Sequence, residues 1–149
     1  MMFALAMAAL LTQLGMPAYA RLSDDLHRAA AARDLAQALR SARSHAMLQG
    51  QPVLVRPLEN DWGKGWTVQL EHNQQVLREH RLTRPMRIVE NTTGQVKFSA
   101  LGMPVGRIGA TLGVCEGSAA ISKYQVVVSR AGRVDLRADE TADSLCAGR

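Results

Sequence analysis

Cys115 and Cys146 are the side chains of this 149-residue chain most capable of covalent or metal chemistry. A zinc site would need further Cys or His at ligand spacing, and neither cysteine has such a companion. In an exported domain two such thiols form a disulfide. It would close a loop of about 31 residues and tie the C-terminal tail to the preceding strands, which the chain-entropy model values at roughly 3–4 kcal/mol. In a reducing compartment the same residues would stay two unpaired thiols. The choice therefore turns on whether the chain is exported.

Other chemistry-bearing residues are dispersed. The four histidines, His27, His45, His72 and His80, do not pair at i, i+4, and no H-E-x-x-H occurs. His72 and His80 flank a predicted hairpin and are expected to be exposed. Glu71, Glu79 and Glu90 form no carboxylate pair. There is no G-x-S-x-G elbow, no P-loop and no G-x-G-x-x-G. Trp62-Gly63-Lys64-Gly65-Trp66 sets glycines around a lysine but lacks P-loop spacing. It reads as a tight turn, with Trp66 in the core and Trp62 as a lid over it. No catalytic residue, metal site or cofactor is implied, and the chain is not expected to be an enzyme.

Net charge is +5, carried by 15 Arg against 3 Lys. A basic surface favours polyanions such as nucleic acid or anionic lipid. Here the basic residues are spread along the whole chain, which fits solvated charge better than one dedicated patch. Aromatics are few, so the core must be Val, Leu, Ile, Met and Ala. The length left after an N-terminal apolar segment fits one domain.

The elements that would position these residues begin with residues 1–20, which contain no charged side chain. A run of that length can cross a hydrocarbon core of roughly 30 Å. It continues without a break into an Arg-rich amphipathic stretch, 21–49, in which Leu35, Leu39, Ala42 and Ala46 make one apolar stripe. Pro17 is expected to kink the helix near 14–16. Gly50 followed by Pro52 ends it. Ala18-Tyr19-Ala20 also fits a signal-peptidase site, which would release a soluble periplasmic binding domain starting at Arg21. Against cleavage stand the missing basic residues before Phe3 and an apolar run longer than the usual signal core. Both readings send residues 21–149 across the membrane, and so favour the disulfide.

From Pro52 the periodicity becomes strand-like. Strands are expected at 53–56, 66–70, 76–82, 87–89, 96–99, 111–115, 124–129 and 133–137. Residues 59–65 are expected as a turn-rich loop, Asn73-Gln74 as a hairpin turn, and the tail from Ala138 as polar and held by Cys146. One long helix followed by seven to nine short strands is an α+β arrangement, with a β-rich head over 50–149.

Several segments, taken in order, resemble the GspH/FimT family of type II secretion pseudopilins and minor type IV pilins. The apolar helix with Pro17 is similar to the pilin N-terminal helix and its proline. Leu39 to Ala46 resembles the family's L-x-x-A-R-S-E-A helix end, and Gly50-Gln51-Pro52-Val53 its G-x-x-V step into the first strand. Trp62 to Val68 resembles W-x-x-G-W-x-V, and Val96 to Gly102 resembles V-x-F-x-x-x-G. Val126 to Val134 resembles the terminal V-V-x-S-x-x-G-R-V strand pair, followed by a late Cys.

The resemblance implies a pilin-like fold, with a long N-terminal helix packed on a C-terminal antiparallel sheet head. It implies a minor pilin or pseudopilin of a type IV pilus or type II secretion filament. Such a subunit sits in the bacterial inner membrane with a periplasmic head, partners other pilins and has no small-molecule substrate. In one branch it also contacts double-stranded DNA during uptake, through an Arg pair in a G-R-x-R motif. Here Gly132-Arg133-Val134-Asp135 keeps the first Arg and has Asp at the second position. Arg130 and Arg137 flank it, so the residues this resemblance points to are Arg130, Arg133 and Arg137. The family's basic leader and its Phe-Thr-Leu-x-Glu start have no counterpart before Met2. Aligning Pro17 places Met1 just after the expected Glu, which leads us to expect a reading frame that begins upstream.

Overall fold

The computed structural model describes residues 2–91, 94–106, 109–117, 121–138, 141–142 and 146–147, without the side chains of 14–18, 141 and 142. Helix α1, Met2–Gln49, runs through the apolar and amphipathic stretches as one element. It stops in a Schellman cap: Gly50 takes φ 63°, and Gln51 N–H donates to the Ala46 carbonyl at 3.1 Å. Pro52 follows and cannot continue the helix. The kink expected at Pro17 falls among side chains outside the description.

The expected stripe is the packing face. Leu35, Leu39, Ala42 and Ala46 are fully buried, joined by Ala29, Ala32, Ala36 and Ala38. So many alanines let the helix lie close to the sheets. Towards the N-terminus Met2, Phe3, Leu5, Met7, Leu10 and Leu11 are all exposed. Among the described residues no helix is long and apolar enough to cross a membrane. The run 1–20, counted whole, includes the undescribed side chains 14–18.

Two antiparallel sheets form the head. The first has the order β3-β2-β1-β5, from β1 (Val53–Leu58), β2 (Asp61–Leu70), β3 (Val76–Arg81) and β5 (Val96–Phe98). The second has the order β4-β6-β7-β8, from β4 (Ile88–Glu90), β6 (Ala110–Cys115), β7 (Ile121–Val128) and β8 (Val134–Arg137). Strand β9 (Thr141–Ala142) pairs with the start of β7. Val53, Val55, Trp66, Val68 and Phe98 from the first sheet meet Leu112, Val114, Val126 and Val128 from the second against α1, in one core. This is the expected α+β architecture.

The loop expected over 59–65 is corrected. Only Glu59 and Asn60 turn, both at positive φ, and Leu58 pairs with Asp61 across them. Two left-handed residues make the tight hairpin whose twist suits antiparallel strands. The glycines lie in strand β2 because other backbone crowds them. A Cβ at Gly63 would lie 1.7 Å from the Met86 carbonyl oxygen, and one at Gly65 2.2 Å from that of His80. Trp62, expected as a lid over the core, belongs to the core itself. It is buried at 3% exposure, and its Nε1 has no hydrogen-bond partner among the described residues.

Candidate functional site

The hairpin joining β7 to β8 carries the arginines singled out from the sequence. Gly132, at φ 88°, lets the chain reverse: its N–H donates to the Ser129 carbonyl at 2.9 Å. The Ser129 N–H donates to the Arg133 carbonyl at 2.8 Å, and Ser129 Oγ accepts from Arg133 N–H at 3.1 Å. Arg130 lies in the turn and Arg137 at the end of β8, both exposed. Arg133 is 79% exposed, and its Nε donates to Asp135 Oδ1 at 3.2 Å. Asp135, which stands at the second motif position, thus offsets part of this basic charge by direct contact.

Two arginines of α1 reach the same end of the head. Arg40 Nη2 donates to the Val134 carbonyl at 3.2 Å, and Arg43 Nε to the Gly102 carbonyl at 2.9 Å. Carbonyl partners orient a guanidinium and leave its charge intact. Arg130, Arg133, Arg40 and Arg43 therefore sit around this hairpin and helix end with Asp135, while Arg137 lies at the far end of β8 opposite Gln125. The signal was available: Arg40 and Arg43 are three apart and share a helix face with the buried stripe beside them.

The disulfide is present. Cys115 and Cys146 are bonded, both buried, with Cα atoms 5.9 Å apart. The tail is therefore anchored by the disulfide and by strand β9, which the polar composition of 138–149 concealed.

His80 is half-exposed, with 39% of its side chain open to solvent, and it also makes contacts that its place beside the hairpin did not foretell. Its ring stacks on Trp66 with centroids 5.0 Å apart, and its Nε2 lies 3.5 Å from Asp34 Oδ2 on α1. His72 is exposed. Two further carboxylates of α1 hold the head: Asp24 accepts from Arg84 at 2.6 Å, and Asp25 Oδ2 accepts from Lys123 at 3.3 Å and Tyr124 at 3.2 Å. The bond to Asp25 raises the Lys123 pKa above its ordinary value. At the β1–β2 hairpin, the 2.8 Å bond between Lys64 and Glu59 lowers the Glu59 carboxyl and raises Lys64. Among the described residues no group of three His, Cys, Asp or Glu is placed to hold a metal.

The model of the family described as "Type II transport protein GspH" matches residues 31–132, more than half of the chain. The chain belongs to the GspH family. The match starts inside the packed half of α1 and ends at Gly132, so it covers the core-forming part of this GspH chain. The fold is similar to a crystal structure of the type IV minor pilin FimU of Pseudomonas aeruginosa, strain PAO1. TM-score is 0.70 at 24% identity, over 84% of this chain and 98% of that one. A second crystal form of FimU matches with TM-score 0.68 at 26% identity, over 78% and 98% of the two chains. No curated protein matches.

Proposed function

We propose that this chain is a minor pilin or pseudopilin subunit of a type IV pilus or type II secretion filament, acting by assembly with other pilins. The observation that carries this reading is the division of α1. Its C-terminal half buries one face against the head, while Met2, Phe3, Leu5, Met7, Leu10 and Leu11 are exposed apolar side chains. Such a segment needs lipid or neighbouring helices as its surroundings. In this reading 1–20 spans the inner membrane, 21–49 is the amphipathic support, and 50–149 is the periplasmic head. The crystal structures of FimU, a minor pilin, support the same role for this fold. Fractionation tests it. The chain should be found in inner membranes and in sheared filaments, and should stay in the membrane when filament assembly is blocked. Recovery as a soluble periplasmic protein beginning at Arg21 would overturn it.

A second reading adds double-stranded DNA as a partner at the Arg130, Arg133 and Arg137 hairpin. What favours it is the arrival of Arg40 and Arg43 at the same end. Arginine excess of this kind fits phosphate contacts that carry no sequence preference.

A further inference from the structure

Where α1 emerges from its apolar segment, three arginines from two parts of the chain meet over one cavity. It has a volume of about 210 Å³ and is lined by Asp24, His27 and Arg28 of α1, Arg84 and Arg87 before β4, and Gly117 after β6. Arg84 is pinned from below: Nη2 donates to Asp24 Oδ1 at 2.6 Å, and Nη1 lies 3.4 Å from His27 Nδ1. Arg87 is held by backbone, donating from Nη2 to the Cys146 carbonyl at 2.5 Å and from Nη1 to the Gly117 carbonyl at 3.5 Å. Arg28 lines the cavity with no side-chain partner among the described residues. Asp24 is the one carboxylate among the lining residues, because Asp25 turns to Lys123 and Tyr124 on β7. The cavity thus keeps guanidinium charge in excess of its carboxylate, and forked guanidinium donors match phosphate oxygens.

We propose that this cavity holds the phosphate of an anionic phospholipid headgroup. The proposal rests on the reading that 1–20 spans the membrane, and the height of the cavity favours a lipid over a free anion. Asp24 lies about 6 Å and Arg28 about 12 Å along the helix beyond Ala20. Headgroups occupy roughly 5–7 Å on each side of the hydrocarbon core. Arg84 is bound at the level of Asp24, and helical side chains such as Arg28 slope back towards the helix N-terminus, here towards the bilayer. In this reading the lining that starts at Asp24 lies at the height of the lipid phosphates, and Arg28 slopes down towards it.

The test uses the full chain in dodecyl maltoside micelles. Amide NMR signals of Arg28, Arg87 and Gly117 are followed while dihexanoyl-phosphatidylglycerol is added. Dihexanoyl-phosphatidylcholine and inorganic phosphate are titrated separately. Saturable shifts are expected with the glycerol lipid, with about tenfold weaker binding of the choline lipid. Arg28→Gln should lose about tenfold while keeping a folded spectrum, and Arg28→Lys should fall between, keeping charge without the fork. Inorganic phosphate saturating the same signals as tightly would make this a small-anion site and overturn the lipid assignment. Shifts that never saturate, or that Arg28→Gln leaves unchanged, overturn the site altogether. Flotation with neutral phosphatidylcholine vesicles is run in parallel. A chain left at the bottom of the gradient removes the membrane reading, while the titration decides the cavity independently.

Discussion

Gly132 faces Gly102 so closely that a Cβ on Gly132 would lie 2.0 Å from the Gly102 carbonyl oxygen. That oxygen also accepts the 2.9 Å bond from Arg43 Nε, and the same Cβ would lie 2.8 Å from that nitrogen. The β7–β8 turn, the loop after β5 and the end of α1 are therefore locked at one point.

Gly132→Ala should break the lock. The substitution meets both a left-handed φ and a backbone atom that cannot swing away, and should cost about 2–4 kcal/mol. Gly50→Ala is the matched control: φ is 63° with nothing near the new Cβ, so only the backbone term of about 1 kcal/mol applies. Urea unfolding in detergent, read by fluorescence of the buried Trp62 and Trp66, compares the two. Equal midpoints for both variants would contradict the lock.

What the sequence made legible follows from periodicity. The stripe Leu35, Leu39, Ala42, Ala46 and the alternation Trp66, Val68, Leu70 are local patterns, and both face the core. The β2 start was not legible, because Gly63 and Gly65 usually signal turns. Here they answer to Met86 and His80, more than a dozen residues away, whose approach no local pattern encodes. The same holds for the basic end. Arg130, Arg133 and Arg137 were found through a motif, while Arg40 and Arg43 join them only through tertiary bonds to Val134 and Gly102.

Removing the disulfide should destabilise the head without dissolving its core. Cys115 and Cys146 close a separation of 31 residues, for which the chain-entropy model gives about 3–4 kcal/mol. Cys146→Ser, or reduction of the wild type, should lower the urea midpoint accordingly. It should also free the Arg87 bond to the Cys146 carbonyl, so amide exchange should rise first at Ile121 and Ser122, the partners of β9. Uniform loss of protection across β6 and β7 would show instead that the tail holds the whole second sheet.

Lys123 should make the helix–head contact weaken in alkali. Its pKa is raised above the ordinary value of 10.5 by the hydrogen bond and charge of Asp25. A cation whose folded pKa is raised stabilises fully below the unfolded value and ceases to do so as pH rises through the folded one. The loss therefore falls above about pH 10. Lys123→Met should match the wild type more closely at pH 11 than at pH 8. The readout is the difference in thermal midpoint between the two proteins at each pH. A difference that grows towards pH 11 would contradict the assignment.

In the proposed DNA-binding reading, Arg133 and Arg137 set the salt dependence of binding rather than its sequence preference. Each phosphate contact contributes about 0.9 to the slope of log affinity against log salt. Replacing both by Ala should flatten the slope by up to about 2, but Arg133 already shares its Nε with Asp135. Removing that competitor should do the reverse: Asp135→Asn should strengthen duplex binding and steepen the slope, because Arg133 then turns its full charge outward. Fluorescence anisotropy of a labelled duplex with the full chain in detergent, from 50 to about 300 mM salt, reads both effects. Arg33→Ala, on the exposed flank of α1, is the charge-matched control. If it weakens binding as much as Arg133→Ala does, the attraction is the net charge of the chain, and the hairpin has no special part in it.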